Sequence, residues 1–251
     1  MYLRNFGLGL LLAGALVSVS FGSTRTELAG ATSQGKVAFI LVTDPGVVGI
    51  PQAKDLIQTT MKQVKNATMV ELVRSDPANA DLVAEYRLAG APVPLILVAA
   101  RNGVLAGGLI AAQASTEKLL AIVPSPKKAD VLKALQSGKA VFITASRKGM
   151  ASQSGAMASC AAACGQMKNQ GVAIAIDLDD PQEAEFLGQL KASRTATEPM
   201  TFVINAQGQL TQTYTGATEV ASLVQAATKS AGGCAPGACG PGAASSCGPK
   251  K

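Results

Sequence analysis

Histidine is absent from all 251 residues. That absence removes the Ser-His-Asp triad, the Cys-His pair and every His-ligated metal centre, so a metal would have to be held by Cys, Met or carboxylates. Tryptophan is absent too, and aromatic residues make up only 4% of the chain. The net charge is +6, but Lys and Arg are scattered and few rings stand near them to stack on bases. This argues against a nucleic-acid partner. The densest basic stretch, Lys127, Lys128, Lys133 and Lys139, reads as the wet face of a linker helix. Charged residues are sparse at 15% against 48% hydrophobic, so the chain can bury a core and is too apolar to stay disordered.

Long apolar runs are missing from everything after Arg25. The first 24 residues differ: Arg4 gives a positive start, no charge follows until Arg25, and Ser20 and Gly22 are small enough for a signal peptidase. A secretory signal fits this pattern. The run is also close to the roughly 20 residues that cross a bilayer, so an uncleaved anchor, with membrane attachment through residues 6–22, is the alternative. Both readings place the body outside the cytosol, periplasmic or extracellular, where disulfides persist.

The body is written twice. Gly35-Lys36-Val37-Ala38-Phe39-Ile40 matches Gly138-Lys139-Ala140-Val141-Phe142-Ile143 at an offset of 103. Asp76-Pro77 matches Asp180-Pro181, Val93-Pro94 matches Glu198-Pro199, Asn102-Gly103 matches Gln207-Gly208, and Thr116-Glu117 matches Thr218-Glu219, all at offsets of 102 to 105. Matches in one order at nearly one offset mark a tandem duplication. Each copy opens with a buried apolar strand (37–42, then 140–144) and continues with a helix (51–64, 152–169) and a second strand (69–73, 172–176). The Asp-Pro starts a short helix. A proline then leads into a strand (95–99, 201–204), a Gly turn reverses into another (104–110, 210–214), and a helix closes the unit from Thr116 or Thr218. The alternation predicts an α/β fold, two domains each with a mixed central sheet flanked by helices. The expected boundaries are 36–125 and 139–230, with a linker helix over 126–138.

The segments APVPLILVAARNG (91–103) and EPMTFVINAQG (198–208) resemble the cis-proline, strand and Gly turn of thioredoxin-like proteins. The resemblance covers residues 36–123 and 139–229. It implies two tandem thioredoxin-like domains, with Pro94 and Pro199 as the cis prolines facing a protein partner. In that family a CxxC follows the first strand, where a helix N-terminus stabilises a thiolate. Here the two turns read Thr43-Asp44-Pro45-Gly46-Val47-Val48 and Ser146-Arg147-Lys148-Gly149-Met150-Ala151, without a cysteine. The family's catalytic residues therefore carry over to no position, and a non-catalytic, partner-binding protein of the cell envelope is the expectation.

Cysteine does occur further on, in MASCAAACGQM (157–167). Met157, Cys160, Cys164 and Met167 are spaced three, four and three apart, one helical stripe of sulfur. Three readings stay open: a core face, a soft-metal site for Cu(I) or Zn, and a thiol-disulfide redox pair. A direct Cys160–Cys164 disulfide fits poorly, because Cβ atoms at i and i+4 of a helix stand about 5–6 Å apart and a disulfide needs about 3.5–4.5 Å. After the last helix comes a Gly/Ala/Pro/Ser tail, 231–251, whose composition predicts flexibility and which carries Cys234, Cys239 and Cys247 as disulfide candidates. Asp177, Asp179 and Asp180 read as a loop and helix cap rather than a hard-cation site.

Overall fold

A computed structural model describes residues 23–229. Residues 6–22 and the tail with Cys234, Cys239 and Cys247 lie outside the described residues. Among the described residues no helix is long and apolar enough to cross a membrane.

The first copy runs α1 (Thr24–Ser33), β1 (Val37–Thr43), α2 (Ile50–Met61), β2 (Ala67–Val73), a 3-10 turn (Pro77–Asn79), α3 (Ala80–Glu85), β3 (Leu95–Ala99), β4 (Leu105–Ile110) and α4 (Thr116–Ile122). The second runs α5 (Pro126–Gln136), β5 (Ala140–Ser146), α6 (Gln153–Gln166), β6 (Gly171–Asp177), a 3-10 turn (Pro181–Glu183), α7 (Ala184–Gln189), β7 (Met200–Ile204), β8 (Leu210–Thr215) and α8 (Val220–Thr228). The sheets are ordered β2-β1-β3-β4 and β6-β5-β7-β8. In each, the first two strands are parallel and the rest antiparallel. These are two tandem thioredoxin-like domains.

The central strands are buried along their whole length because helices cover both faces. Val37, Phe39 and Leu41 point to α2 and α4, meeting Ile57 and Leu119. Ala38, Ile40 and Val42 point the other way, to Leu28 and Ala31 of α1 and to Leu82 of α3. The second domain repeats this. Ala140 and Phe142 pack with Cys160, Ala163 and Leu223, while Val141, Ile143 and Ala145 pack with Val131, Ala134 and Phe186.

Two findings change the expected domain plan. Each copy begins with a helix before its first strand, and α1 at 24–33 is not visible in the strand-led reading. Likewise α5, expected as a linker, supplies Val131 and Ala134 to the core of the second domain, while its Ala129 packs on Ala100 and Val104 of the first. The two helices end alike. Lys36 N–H donates to Ala31 O at 2.9 Å and Lys139 N–H to Ala134 O at 3.0 Å, with Gly35 (φ 60°) and Gly138 (φ 70°) in the left-handed conformation that such a termination requires.

Candidate functional site

The turn from β1 into α2 lies opposite the loop ahead of β3, the place where the sequence resemblance leads one to look for a site. In the first domain the chain leaves β1 through Asp44, turns, and enters α2 from Gly49, whose φ of 85° suits glycine. Asp44 is ion-paired to Arg74, and its Oδ1 accepts from Ser75 N–H at 2.9 Å. Arg74 Nη1 donates to Ala91 O at 2.6 Å, three residues ahead of Pro94. The second domain builds the same clamp with the charges exchanged. Arg147, after β5, donates from Nε to both carboxylate oxygens of Asp179 at 2.9 Å, and from Nη1 to Ala196 O at 3.1 Å. In both copies a guanidinium pins the loop that carries the proline.

The prolines themselves differ. Val93–Pro94 is cis, whereas Glu198–Pro199 is trans, which corrects the expectation for Pro199. The cis form of an X-Pro bond is disfavoured by about 0.5–1 kcal/mol, so without a specific demand the ordinary isomer prevails. Beside Pro94 lies a groove of about 470 Å³ lined by Val47, Val48, Gln52, Leu56, Val93 and Pro94. Its walls are mostly apolar, and Val48 stands 87% exposed at the rim. No sulfur lies in it. The matching turn of the second domain is tied by its own polar groups: Gln153 Nε2 donates to Ser146 Oγ at 3.1 Å, and Gly149 N–H donates to Gln153 Oε1 at 3.3 Å. Apart from Pro94, the groove residues carry no mark in the sequence; a valine pair in a turn was the one available sign.

The buried line of α6 is Ala156, Cys160 and Ala163, with Cys164 and Met167 packed at its margin. Met157 is 42% exposed, at the solvent-facing margin of the stripe. At about 100° per residue, Met157 sits a full step from Ala156 and beyond the edge of the covered face. Both cysteines are free thiols. Cys160 lies more than two turns into the helix, past the reach of the N-terminal field. Burial pushes its thiol up, opposed by the Thr144 hydroxyl, 3.4 Å from Sγ, and by Thr201. Burial also pushes Cys164 up, reinforced by the neighbouring Cys160. Burial thus favours the protonated, less nucleophilic form of both thiols.

A thiol whose acidity is weakened by folding keeps its proton longer in the native state. Its contribution to stability is complete below the unfolded-state value, about 8.5, and is lost as the pH rises through and beyond it. The urea midpoint of the wild-type chain is therefore expected to fall more steeply between neutral and alkaline pH than that of a Cys160→Ala/Cys164→Ala variant. Labelling should agree. With Cys234, Cys239 and Cys247 replaced by serine, maleimide is expected to modify Cys164 slowly and Cys160 only in urea.

Among the described residues no group of three or more Cys, Asp or Glu is arranged to hold a metal ion. The acidic run serves the backbone and the clamp: Asp177 Oδ1 accepts from Asp179 N–H at 3.0 Å, Asp180 Oδ1 caps Gln182 N–H at 2.9 Å, and Asp179 pairs with Arg147.

No protein-family model and no curated protein sequence matches the chain. Among solved structures it is similar to the NTD_N/C domain of the alkylhydroperoxide reductase AhpF from Enterococcus faecalis, at 13% identity and a TM-score of 0.28, covering 82% of this chain and 98% of that one. It is similar to the first two thioredoxin domains of Saccharomyces cerevisiae Eps1p, at 13% identity and a TM-score of 0.30, covering 80% and 95%. Human ERp44 matches at 10% identity and a TM-score of 0.36, covering 84% of this chain and 57% of that one.

Proposed function

We propose that this chain is an exported, non-catalytic binding protein, a partner-holding subunit of the cell envelope whose first domain grips an extended apolar polypeptide segment. The observation that carries this reading is the groove beside Pro94, which occupies the position of the family's dithiol but is walled by Val47, Val48, Leu56 and Val93. Aliphatic walls exchange nothing with a disulfide; they desolvate side chains laid against them, at roughly 25 cal/mol per Å² of apolar surface covered. The only described thiols, buried Cys160 and half-buried Cys164, lie on another element and are shifted toward the protonated form. Export is supported by Arg4 followed by a charge-free stretch up to Arg25.

The test is a fluorescence-anisotropy titration of the full chain with labelled short peptides, one set apolar and one set charged. Apolar peptides are expected to bind, and Val48→Asp to weaken them about tenfold, or about 1.4 kcal/mol. Equal binding of both sets, or indifference to Val48→Asp, would defeat the reading. An insulin-reduction assay checks the absence of dithiol chemistry: turnover that disappears in Cys160→Ala/Cys164→Ala would restore the enzyme.

A further inference from the structure

The outer edge of the second sheet differs from that of the first in a way that points to a second binding surface. Within a strand, the N–H and C=O of one residue point to one side and those of the next to the other. Gln170 O accepts from Ala140 N–H at 2.9 Å and Leu178 N–H donates to Ser146 O at 3.0 Å, so the even-numbered residues of β6 face β5. The backbone groups of Gly171, Ala173, Ala175 and Asp177 therefore point outward, along the edge of the sheet. By the same count β2 directs Met69 and Glu71 outward. There the edge is occupied. Thr24 Oγ1 of α1 donates to Glu71 O at 3.3 Å, and the Glu71 carboxylate pairs with Lys54 Nζ at 2.7 Å.

The second copy has lost both guards. At the offset of 103 that pairs Gly35 with Gly138, Lys127 stands where α1 has Thr24 and Met157 where α2 has Lys54, and Ala175 stands where β2 has Glu71. Ala173 and Ala175 are exposed, and β6 carries no charge before Asp177. An uncharged edge with outward backbone groups is a template for an added strand. Between this edge and α5 runs a groove of about 450 Å³ floored by Val172 and Ile174 and rimmed by Lys127, Lys133 and Lys139. None of the three lysines is ion-paired among the described residues, and Lys133 Nζ donates to Asn102 O at 3.4 Å. The one carboxylate on the rim, Asp130, accepts from Asn102 Nδ2 at 3.4 Å.

We propose that the β6 edge takes up an extended acidic polypeptide segment from a partner, which adds as a fifth strand with alternate carboxylates reaching Lys127, Lys133 and Lys139. Main-chain hydrogen bonds would supply the affinity and the lysines the choice of sequence. Charge decides the occupant. Residues 1–22 and 230–251 contain no Asp or Glu, so neither of these two segments supplies the acids. A second copy paired through the same edge would bring two sets of the three lysines together. This surface lies in the second domain and stands or falls independently of the Pro94 groove.

The experiment is an anisotropy titration of the full chain with a short fluorescein-labelled peptide alternating glutamate with valine, and with its lysine-valine counterpart. The acidic peptide is expected to bind and the basic one not to. Ala175→Pro, which deletes an outward N–H and leaves the bonds to β5 intact, is expected to weaken binding about tenfold, as is Lys133→Glu/Lys139→Glu. Circular dichroism confirms that each variant is folded; the exposed lysine pair serves if the proline is not tolerated. Three results would overturn the proposal: no uptake of the acidic peptide, equal uptake of an oligodeoxythymidine that survives Ala175→Pro, or self-association abolished by Ala175→Pro without peptide binding.

Discussion

Phe142→Ala is expected to cost the second domain about 3–5 kcal/mol, read as a fall in the urea midpoint at unchanged slope. Phe142 is at 0% exposure in the middle of β5, the strand flanked by β6 and β7. Its ring packs among Cys160, Ala163, Val203 and Leu223, so deletion opens a cavity between the sheet and two helices. One edge of that space cannot collapse. Gly171 has no side chain to move in, and a Cβ there would stand 3.0 Å from Phe142 Cε2. Phe39 holds the equivalent place in β1, so Phe39→Ala should lower the first domain by a similar amount. A loss below about 1 kcal/mol at Phe142 would mean that the α6 and α8 layer is not packed as described.

Glu183→Ala is expected to cost about 3 kcal/mol. Glu183 is 1% exposed, and both of its oxygens are engaged. Ser125 Oγ–H donates to Oε2 at 2.5 Å, and Lys127 N–H donates to Oε1 at 2.8 Å. The carboxylate thus sits on the first turn of α5, where free N–H groups and the helix dipole favour negative charge. Hydrogen bonds to a charged group contribute about 1.5–3 kcal/mol each, and removing the acceptor leaves the Lys127 N–H and the Ser125 hydroxyl without it. Glu183→Gln should lose about half as much, since its amide can still serve one donor. The first copy uses a different device, with Asn79 Nδ2 donating to Val73 O at 2.9 Å. Because α5 contributes to both domains, loosening its start should also broaden the urea transition as the domains unfold less together.

Much of this fold can be read from the chain. The duplicated Gly-Lys-x-x-Phe-Ile and the repeated Asp-Pro fix the order of strands, because strand periodicity and turn chemistry are local properties. What stayed hidden depends on contact. Thr24 to Ser33 has weak helical patterning, and it becomes a helix because Leu28 and Ala31 find the open face of β1. The lysines of α5 suggested a wet linker, while Val131 and Ala134 on its opposite side were already marking a core face. The clamps Asp44–Arg74 and Arg147–Asp179 leave no trace in a residue-by-residue match: Arg147 stands where the first copy has Asp44, and Asp179 lies one residue beyond Leu178, the equivalent of Arg74.

That arrangement has a consequence for how two halves of one fold sort themselves out. Should β1 dock beside β6, Asp44 would meet Asp179; should β5 dock beside β2, Arg147 would meet Arg74. Both mispairings bring like charges together at the end of a sheet, while each correct pairing joins an acid to a base. Like charges there would weigh against a hybrid of the two repeats by about 0–1 kcal/mol per pair, the usual scale for a partly exposed ion pair.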